Sequence, residues 1–375
     1  PASGKRATYG SLAAKAATFP VPEKVALKDP ANFRLIGKTA PRVDMKAKST
    51  GTAMFTQDFT LPGMLTAVVA HPPRFGAKAK SFDSTAAMAV PGVQDVVQIP
   101  NGVAVLASGF YAAAKGRDAL SIEWDERGSF TKSSSNIMAD YKVLAGKRGT
   151  VARREGNAER TLASAKGVVS ASYEFPFLAH ATMEPLNCVV KLGTDSCEIW
   201  NGEQFQTPDQ FAVAQVTGLK QEQVSLNMLF AGGSFGRRAS PTADYVIEAV
   251  TIAQAIKGRV PVKLVWTRED DMRAGYYRPV YLHSIRGAVD ANGAPSAWHH
   301  RVVGQSIMTG SAFAGMIQNG IDPTSVEGAS DMPYTIPNQQ VELHTTVLPV
   351  PIQWWRSVGH THTAFAVECF LDELA

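Results

Sequence analysis

The sequence predicts a mixed α/β fold, and two stretches carry this prediction. Between residues 46 and 128, short apolar runs alternate with helical patterns in the order strand, helix, strand, strand, helix, strand. Further along, an alternating apolar run at residues 224–230 leads into a glycine-rich turn and then into helical spacing over residues 245–253. Strands and helices are thus interleaved in both halves of the chain, as in α+β and mixed α/β architectures.

Composition excludes several classes of protein. A chain of 375 residues has the length of about two or three domains, and 45% hydrophobic residues supply a sizeable core. The net charge of +4 is small and no Lys/Arg block occurs, so no nucleic-acid-binding pattern is present. No apolar run reaches about 18 residues, which argues against a transmembrane helix. The three cysteines lack metal-type spacing, and a disulfide between Cys188 and Cys197 is only weakly indicated.

The chain divides into four predicted regions. Residues 1–45 are basic and punctuated by proline, and we expect an extended lead-in arm with a short helix over residues 11–18. Residues 46–128 form the first compact α/β unit, and residues 168–375 form the second. Between them, residues 129–167 are rich in Ser, Lys and Arg, which predicts a linker with helical segments. A first residue other than Met indicates a cut or processed start, and a last helix without a C-cap glycine suggests a longer protein.

The first α/β unit follows from its apolar runs and turns. Strands are predicted at residues 65–70 and 121–125, and helices at residues 84–89 and 111–120. Residues 93–99 and 103–107 predict a hairpin around Pro100-Asn101-Gly102. We expect these elements to form one small mixed sheet. His71, beside two prolines, is predicted to be structural.

The second unit has more elements and contains two turns with glycine. Strands are predicted at residues 168–173, 187–191, 196–200, 224–230, 262–266, within 282–306 and at 340–347, and helices at 207–218 and 364–375. The glycine turn, which we define as residues 231–238 (AGGSFGRR), is followed by Ser240 as a predicted N-cap and Pro241 as the first helical residue. A second turn, WWRSVGH at residues 354–360, precedes the last helix.

The glycine turn is a candidate anion site. Glycines let backbone N–H groups approach a ligand closely, and a helix N-terminus favours negative charge. Two guanidinium groups, Arg237 and Arg238, would add charge-assisted hydrogen bonds to a phosphate or a similar group. The alternative is a tight turn with two solvated arginines.

Other patterns allow catalytic and metal-binding hypotheses. The segment Gly232 to Gly236 matches G-x-S-x-G, so Ser234 is a candidate nucleophile. Its candidate triad partners are Asp270, Asp271, His299, His300 and His344. Against this hypothesis, three residues separate the turn from its helix, and no His-Gly-Gly-Gly loop precedes it.

Two further patterns have a functional and a structural interpretation. His360 and His362 would share one face of an extended segment and could bind a metal with His180, but we favour loop histidines near a ligand or an interface. Glu184 could act in acid–base chemistry, but we favour a carboxylate that braces its turn by accepting backbone N–H bonds.

In combination, these motifs resemble a known family. The sequences HATMEPLN at 180–187, AGGSFGRR at 231–238, LVWTREDDM at 264–272 and WRSVGHTH at 355–362 carry the resemblance. They look like the molybdopterin-binding large subunit of the xanthine oxidase family, in the branch of the isoquinoline 1-oxidoreductase β subunit and periplasmic aldehyde dehydrogenases. The resemblance implies a small hammerhead-like α/β domain over residues 46–128. It also implies the first molybdenum-cofactor-binding domain over residues 168–375, with the second such domain outside this chain.

The resemblance also implies a function. Members hydroxylate aldehydes or N-heteroaromatic compounds with water-derived oxygen on molybdenum. Electrons pass to [2Fe–2S] clusters on a small partner subunit and, in this branch, often to a cytochrome c. The implied cofactor is molybdopterin with molybdenum, in the cytosine dinucleotide form. The implied location is the periplasm, with the cytoplasm as the alternative. A serine hydrolase using Ser234 and a non-catalytic nucleotide-binding scaffold are the alternative functions.

Site residues follow from the same motif matches. The cofactor-binding residues would be Gly233, Ser234, Phe235 and Gly236 on one side, and Arg356 and Gly359 on the far side of the pterin. The substrate pocket would include Leu178, His180 and Ala239. Purine-oxidising relatives place a glutamine at the position of Leu178 and a carboxylate at that of Ala239, so purines are disfavoured. The general-base glutamate of the family is expected outside this chain, and no metal ligand is predicted within it.

Overall fold

The computed structural model describes residues 3–375, so the first two residues of the predicted lead-in arm lie outside the described residues. The chain forms two compact units with a boundary between Ala53 and Met54. In the first unit, α1 spans Tyr9–Ala16 and α2 spans Met45–Ser49. Thr8 caps α1, because its side chain accepts a hydrogen bond from the Ser11 amide at 3.2 Å. The short helix is therefore confirmed, two residues earlier than predicted.

The second unit contains sixteen strands and eight helices among the described residues. The strands are β1 Leu65–Ala70, β2 Lys78–Asp83, β3 Val93–Ile99, β4 Gly102–Ala107, β5 Ser121–Asp125, β6 Thr150–Glu155, β7 Val169–Phe175, β8 Leu178–Ala179, β9 Asn187–Leu192, β10 Cys197–Asn201, β11 Val224–Met228, β12 Val262–Val265, β13 Tyr277–Arg278, β14 Tyr281–Val289, β15 Pro295–Gln305 and β16 Gln339–Thr346. The helices are α3 Thr85–Met88, α4 Phe110–Asp118, α5 Ser134–Ala145, α6 Ala158–Ser164, α7 Gln206–Thr217, α8 Asp244–Ala255, α9 Arg268–Arg273 and α10 His360–Leu374.

The larger sheet has seven strands in the order β11-β10-β9-β12-β1-β4-β3. Its pairs are antiparallel except β10–β11 and β1–β12, which are parallel. Helix α8 packs its apolar face on the sheet, where Val246, Val250 and Ile252 join the main core. The predicted helical spacing after the glycine turn therefore describes a helix buried along most of its length.

The smaller main sheet has five strands in the order β6-β16-β15-β14-β7. Successive side chains of β15 point to opposite faces of the sheet. Trp298 and Val302 face α10, where Trp298 packs against Phe370, whereas Val303 faces α5. Both faces of this sheet are thus covered by helices. This explains why the three inner strands, β14, β15 and β16, show long runs of buried residues.

The mixed α/β fold class is confirmed, but three details differ from the sequence-based expectation. Strands β1, β3 and β4 form no sheet of their own, because β1 pairs with β12 from the second predicted unit. Strand β5 pairs instead with β2, which the sequence did not predict. Within the predicted linker, β6 pairs with β16 of the five-stranded sheet. Pairings between strands this far apart in sequence leave no local signal. The predicted domain boundaries stay a prediction.

The helix after the glycine turn begins later than predicted. Its N-cap is Ala243, in the left-handed region at φ 52°, rather than Ser240, and Asp244 is the first helical residue. Ser240 still accepts a hydrogen bond from the Asp244 amide, at 3.4 Å. The additional turn brings Asp244 to Arg237.

The cysteines are free. Cys188 and Cys197 lie on the antiparallel pair β9–β10, where Cys197 is opposite Leu192, four residues from Cys188. They are therefore too far apart along the ladder for the weakly indicated disulfide. Within the described part of the chain, no helix is long and apolar enough to cross a membrane.

His71 joins elements that are distant in sequence. Its Nε2 lies 2.8 Å from Glu248 Oε1 on α8, and its Nδ1 lies 3.5 Å from Asp270 Oδ1 on α9. Asn101 and Trp266 also donate to the Glu248 carboxylate. Burial lowers the pKa of His71, but the charges of Glu248 and Asp270 outweigh it and raise this pKa to about 10. The structural role predicted for His71 is therefore an ion-pair role.

This ion pair makes a pH-dependent prediction. The pKa of His71 is about 6.5 in the unfolded protein and about 10 in the folded protein. The stability that this shift contributes is therefore complete below about pH 6.5 and is lost as the pH rises through about 10. We expect His71→Gln to lower the free energy of unfolding by roughly 1.5–3 kcal/mol at pH 6 and by much less at pH 10. Urea titrations at both pH values measure this, with His344→Gln as the control. An equal loss at both pH values would contradict the assignment.

Candidate functional site

Short strands bring the sequence motifs together. In the pair β8–β13, Leu178 lies opposite Arg278 and Ala179 opposite Tyr277. Tyr277 also forms a parallel bridge to Ile352. Residues 180–187, called here the Glu184 segment, therefore start beside residues 353–359, called here the tryptophan turn. These two segments are separated by about half the chain in sequence.

Glu184 binds the glycine turn to the Glu184 segment. Its Oε2 accepts from the Gly232 amide at 2.7 Å, and the Glu184 amide donates back to the Gly232 carbonyl at 3.1 Å. Its Oε1 accepts from Asn187 Nδ2 at 2.9 Å and from the Gln57 amide at 3.3 Å. A carboxylate with this many donors is committed to structure, so the bracing interpretation agrees with the geometry.

The two arginines of the glycine turn are internal. Arg238 is fully buried, and it donates to the Gly233 carbonyl at 3.0 Å and to Glu184 Oε2 at 3.3 Å. Arg237 is also buried, and it makes a bidentate pair with Asp244 at 3.0 and 2.5 Å. Both interpretations of these arginines, contact with an anion and exposure to solvent, are wrong. Arg238 stabilises the glycine turn, and Arg237 stabilises the start of α8 through Asp244.

The tryptophan turn contacts the glycine turn directly. Gln353 Nε2 donates to the Gly236 carbonyl at 2.9 Å. A Cβ at Gly236 would lie 2.6 Å from the Trp354 carbonyl oxygen, so only glycine allows this approach. The same Trp354 carbonyl lies 3.0 Å from His180 Nε2. Burial lowers the pKa of His180 to about 4, so its imidazole is neutral at pH 7.

Unlike the two buried arginines of the glycine turn, Arg356 is a solvent-exposed cation of the site. It is exposed, and its guanidinium carbon lies 4.0 Å from the centroid of the Phe235 ring. Phe235 has φ 61°, and Ser357 and Val358 have φ 70° and 49°. Non-glycine residues in this region are uncommon and cost of order 1 kcal/mol or more each. Strained backbone therefore occurs in both turns, on either side of the Phe235–Arg356 contact.

Backbone amides in the two turns are left without protein acceptors. Within residues 3–375, the amides of Gly233, Ser234, Phe235 and Gly236 donate to no protein atom. The same holds for the amides of residues 354–357 in the tryptophan turn. Successive free N–H groups beside one exposed guanidinium are suited to binding an anion.

Gly359 closes the site at the start of α10. It is the N-cap residue, and its amide donates to Glu327 Oε1. A Cβ at Gly359 would collide with the Thr324 carbonyl oxygen. Because α10 begins at His360, His360 and His362 lie on different sides of a helix. The extended metal-binding geometry considered for them is therefore wrong.

His362 instead ends a buried chain of imidazoles. His283 lies 2.7 Å from His300 Nε2 through its Nδ1, and 2.9 Å from His362 Nδ1 through its Nε2. Burial lowers the pKa of all three, to about 3 for His300, so the chain is neutral at pH 7. Tyr281 stacks on His362 with ring centroids 3.7 Å apart. The chain fixes α10 on β14 and β15 behind the tryptophan turn.

The serine-hydrolase geometry is not assembled. Ser234 Oγ donates to Gln204 Oε1 and accepts from the Arg238 amide at 3.0 Å. Four of the five nominated partners are engaged elsewhere, since Asp270 binds Arg117, Asp271 binds Arg268, His300 binds His283 and His344 binds the Lys147 carbonyl. The fifth, His299, faces Glu342 rather than Ser234. No histidine among residues 3–375 hydrogen-bonds to Ser234.

The three predicted substrate-pocket residues have different environments. Leu178 is partly exposed on β8 at 36% of its surface, and Ala239 is half-buried directly after the glycine turn. His180 is buried and bonded to the Trp354 carbonyl, so it positions the tryptophan turn. Contact of these residues with a substrate stays a prediction.

Sequence reasoning missed several residues that build the site. Gln204, Gln353 and Glu327 each bond to a motif backbone or side chain, yet none lies in a motif. Next to Gln204, Glu203 and Asp209 form a buried acid pair, and burial raises the pKa of Asp209 to about 9. The only local signal for such residues is a polar side chain in an apolar neighbourhood, which does not identify its partner.

The geometry defines a class of protein, a mixed α/β domain whose free amides and exposed guanidinium suit an anionic ligand. Residues 143–375 match the model of the molybdopterin cofactor-binding domain. This match includes all three converging segments and more than half of the chain, so the chain belongs to the molybdopterin cofactor-binding domain family.

Individual proteins agree with this membership. The chain is 30% identical over 383 residues to the isoquinoline 1-oxidoreductase subunit beta of Brevundimonas diminuta, covering 97% of this chain and 48% of that protein. It is also 30% identical to the membrane-bound aldehyde dehydrogenase (pyrroloquinoline-quinone) of Gluconacetobacter polyoxogenes, covering 100% of this chain and 51% of that protein. The resemblance to the xanthine oxidase family is thereby confirmed. The chain spans about half the length of the curated relatives it matches.

A solved structure shows the same fold. Quinoline 2-oxidoreductase from Pseudomonas putida 86 superposes with a TM-score of 0.72 at 20% identity, over 94% of this chain and 49% of that chain. This likeness supports the fold assignment alone.

The Glu184 contacts predict a large effect of a small substitution. Glu184→Gln places an amide N–H₂ among the Gly232, Asn187 and Arg238 donors and leaves the buried Arg238 without the Glu184 carboxylate as its counter-charge. We expect a loss of about 3 kcal/mol in the free energy of unfolding, measured by urea titration. Glu174→Gln, which breaks a surface pair with Lys142, is the control and should change it by less than about 1 kcal/mol. Equal effects of the two substitutions would refute the bracing role.

The contact between the two turns predicts a steric effect at Gly236. Gly236→Ala and Gly293→Ala both place a Cβ on a residue with positive φ, at 108° and 83°. Only at Gly236 does that Cβ meet the Trp354 carbonyl, since Gly293 has nothing within 4 Å. We expect the melting temperature to fall further for Gly236→Ala, by an amount equivalent to about 1 kcal/mol or more. The fluorescence of Trp354 should change in that variant alone.

Proposed function

We propose that this chain is part of a molybdenum-dependent hydroxylase that oxidises an aldehyde or an N-heteroaromatic substrate with water-derived oxygen. The observation that carries the proposal is the pair of turns with free amides on either side of the Phe235–Arg356 contact. Names of relatives that include isoquinoline 1-oxidoreductase and aldehyde dehydrogenase support this substrate range.

The residues of the site fit an anionic cofactor such as molybdopterin. The amides of Gly233 to Gly236 can donate to dithiolene or phosphate groups, and Arg356 adds a positive charge. The nearby carboxylates do not oppose an anion strongly, because Glu184 is surrounded by donors and Glu327 accepts from Gly359. When bound, the cofactor supplies the two-electron oxidation that no protein side chain provides.

The chain's own residues position the cofactor and shape the approach to it. Glu184 and Gln353 hold the glycine turn, and neutral His180 holds the tryptophan turn through the Trp354 carbonyl. Leu178 and Ala239, where purine-oxidising relatives have polar groups, leave the substrate side apolar. A flat, weakly polar substrate therefore suits the site better than a purine. The general base is expected outside this chain.

Partners and location extend the proposal. We infer that a small [2Fe–2S] subunit accepts the electrons and passes them to a cytochrome c. We also infer that the cofactor is the cytosine dinucleotide form of molybdopterin. Relatives named as subunits of oxidoreductases support an assembly of several chains. The proposed location is the periplasm, with the cytoplasm as the alternative.

Metal and cofactor analysis of the native assembly tests the proposal. We expect molybdenum, iron, a fluorescent oxidised pterin and released CMP. We also expect oxygen from ¹⁸O-labelled water in the carboxylic acid or lactam product. An active assembly without molybdenum would overturn the proposal. Release of pyrroloquinoline quinone would instead indicate the cofactor printed in the name of the Gluconacetobacter polyoxogenes relative. Labelling of Ser234 by a fluorophosphonate would favour a serine hydrolase.

Arg356 gives a residue-level test of cofactor binding. We expect Arg356→Gln to retain pterin roughly tenfold less tightly, because one charge-assisted hydrogen bond contributes about 1.5–3 kcal/mol. Arg286→Gln, on the exposed part of β14, is the matched control and should retain the normal amount. Pterin fluorescence after gel filtration measures retention. Unchanged retention in Arg356→Gln would remove Arg356 from the cofactor site.

A further inference from the structure

A second polar cluster lies on the five-stranded sheet, on the face opposite α10. His299 on β15 and Glu342 on β16 point toward α6, which contributes Glu159. One ligand atom of each residue lies within 4.8 Å of the others. His299 and Glu342 are buried, whereas Glu159 is at the exposed edge of the cluster. The cluster belongs to no motif and is independent of the proposed cofactor site.

His299 is the observation that points to a ligand. Its side chain is 94% buried, with 6% exposed, and its Nε2 has no hydrogen-bond partner in the described chain. Glu342 Oε1 is 3.5 Å from this Nε2, beyond the usual range for a hydrogen bond. A buried imidazole nitrogen aimed at two carboxylates without bonding to either is costly as it stands.

The separation of these atoms suits a shared metal ion. Zn²⁺ binds imidazole nitrogen and carboxylate oxygen at about 2.0–2.2 Å, so two of its tetrahedral ligands lie about 3.3–3.6 Å apart. The 3.5 Å between His299 Nε2 and Glu342 Oε1 matches this value. Glu159 can close the remaining distance by side-chain rotation, because it is 39% exposed.

The protonation states also suit a metal. Burial lowers the pKa of His299, so its lone pair is available at pH 7. Burial raises the pKa of Glu342, but hydrogen bonds from Arg301, Gly149 and Gln340 outweigh it, and the carboxylate is ionised.

The existing donors leave ligand positions open. Glu342 Oε2 accepts from Arg301 Nε at 2.6 Å and from the Gly149 amide at 3.2 Å, and Oε1 accepts from Gln340 Nε2 at 2.5 Å. Such donors to a carboxylate are common around bound metals, where they orient the ligand. Glu159 Oε2 pairs with the exposed Arg148 at 2.8 Å, a surface pair worth little.

We propose that His299 Nε2, Glu342 Oε1 and the Glu159 carboxylate bind one divalent transition-metal ion of the Zn²⁺ type, with water as the remaining ligand. The ion links α6 to β15 and β16, and its role is structural. Mixed nitrogen and oxygen ligands favour Zn²⁺ or Co²⁺ over Ca²⁺ and Mg²⁺, which prefer oxygen.

Metal titration of the native assembly tests this site. After chelation of loosely bound metal, Zn²⁺ is added and followed by calorimetry, and Co²⁺ is followed by its visible absorption. We expect one more saturable ion per chain in the wild type than in Glu159→Gln or His299→Gln, and at least tenfold weaker binding in both variants. Zn²⁺ should raise the melting temperature of the wild type only.

Controls separate the site from other metal binding. Glu174→Gln, which removes an exposed carboxylate elsewhere, should bind Zn²⁺ as the wild type does. Because Glu159 is exposed, Glu159→Gln should fold even where His299→Gln does not. Equal stoichiometry and affinity in the wild type and Glu159→Gln, or no saturable binding in the wild type, would overturn the proposal.

Discussion

The paired charges of Glu184 and Arg238 are the interaction on which the candidate site depends. Arg238 is fully buried and reaches both the Gly233 carbonyl and Glu184, while Glu184 accepts from the Gly232 amide. Breaking a buried pair leaves an uncompensated charge, at a cost of about 3–5 kcal/mol. The pair therefore fixes the course of the glycine turn and leaves the next four amides free of protein acceptors.

From that anchor, successive contacts extend to the other turn. Gln353 donates to the Gly236 carbonyl, and the Trp354 carbonyl lies against Gly236. The same Trp354 carbonyl is hydrogen-bonded to His180, and the Arg356 guanidinium lies over the Phe235 ring. Behind them, α10 is held on the five-stranded sheet by the imidazole chain and by Phe370. The strained residues are thus supported from both main sheets, which is the condition for strain to persist at a site.

Two polar clusters outside the site show how burial decides the role of a side chain. His71 is charged, because Glu248 and Asp270 outweigh its desolvation. His299 is neutral, because desolvation prevails over Glu342, and so it has a lone pair for a metal. The same residue type therefore serves as an ion-pair partner at one position and as a candidate ligand at another, according to the balance of nearby charge and burial.

The sequence by itself determined the α/β class, most strands and helices, and the four motifs, because periodicity, glycine placement and local composition are encoded within a few residues. The resemblance of these motifs to a known family, rather than local composition, implied Phe235, Gly236, Arg356 and Gly359 as cofactor-binding residues. Only the tertiary structure decided that Arg237 and Arg238 point inward, that α8 starts at Asp244 and that β1 pairs with β12. It alone identified Gln204, Gln353 and Glu327 as site-building residues. Those outcomes depend on partners at least 30 residues away in sequence or on competition among charges for burial, and neither leaves a pattern in the local sequence.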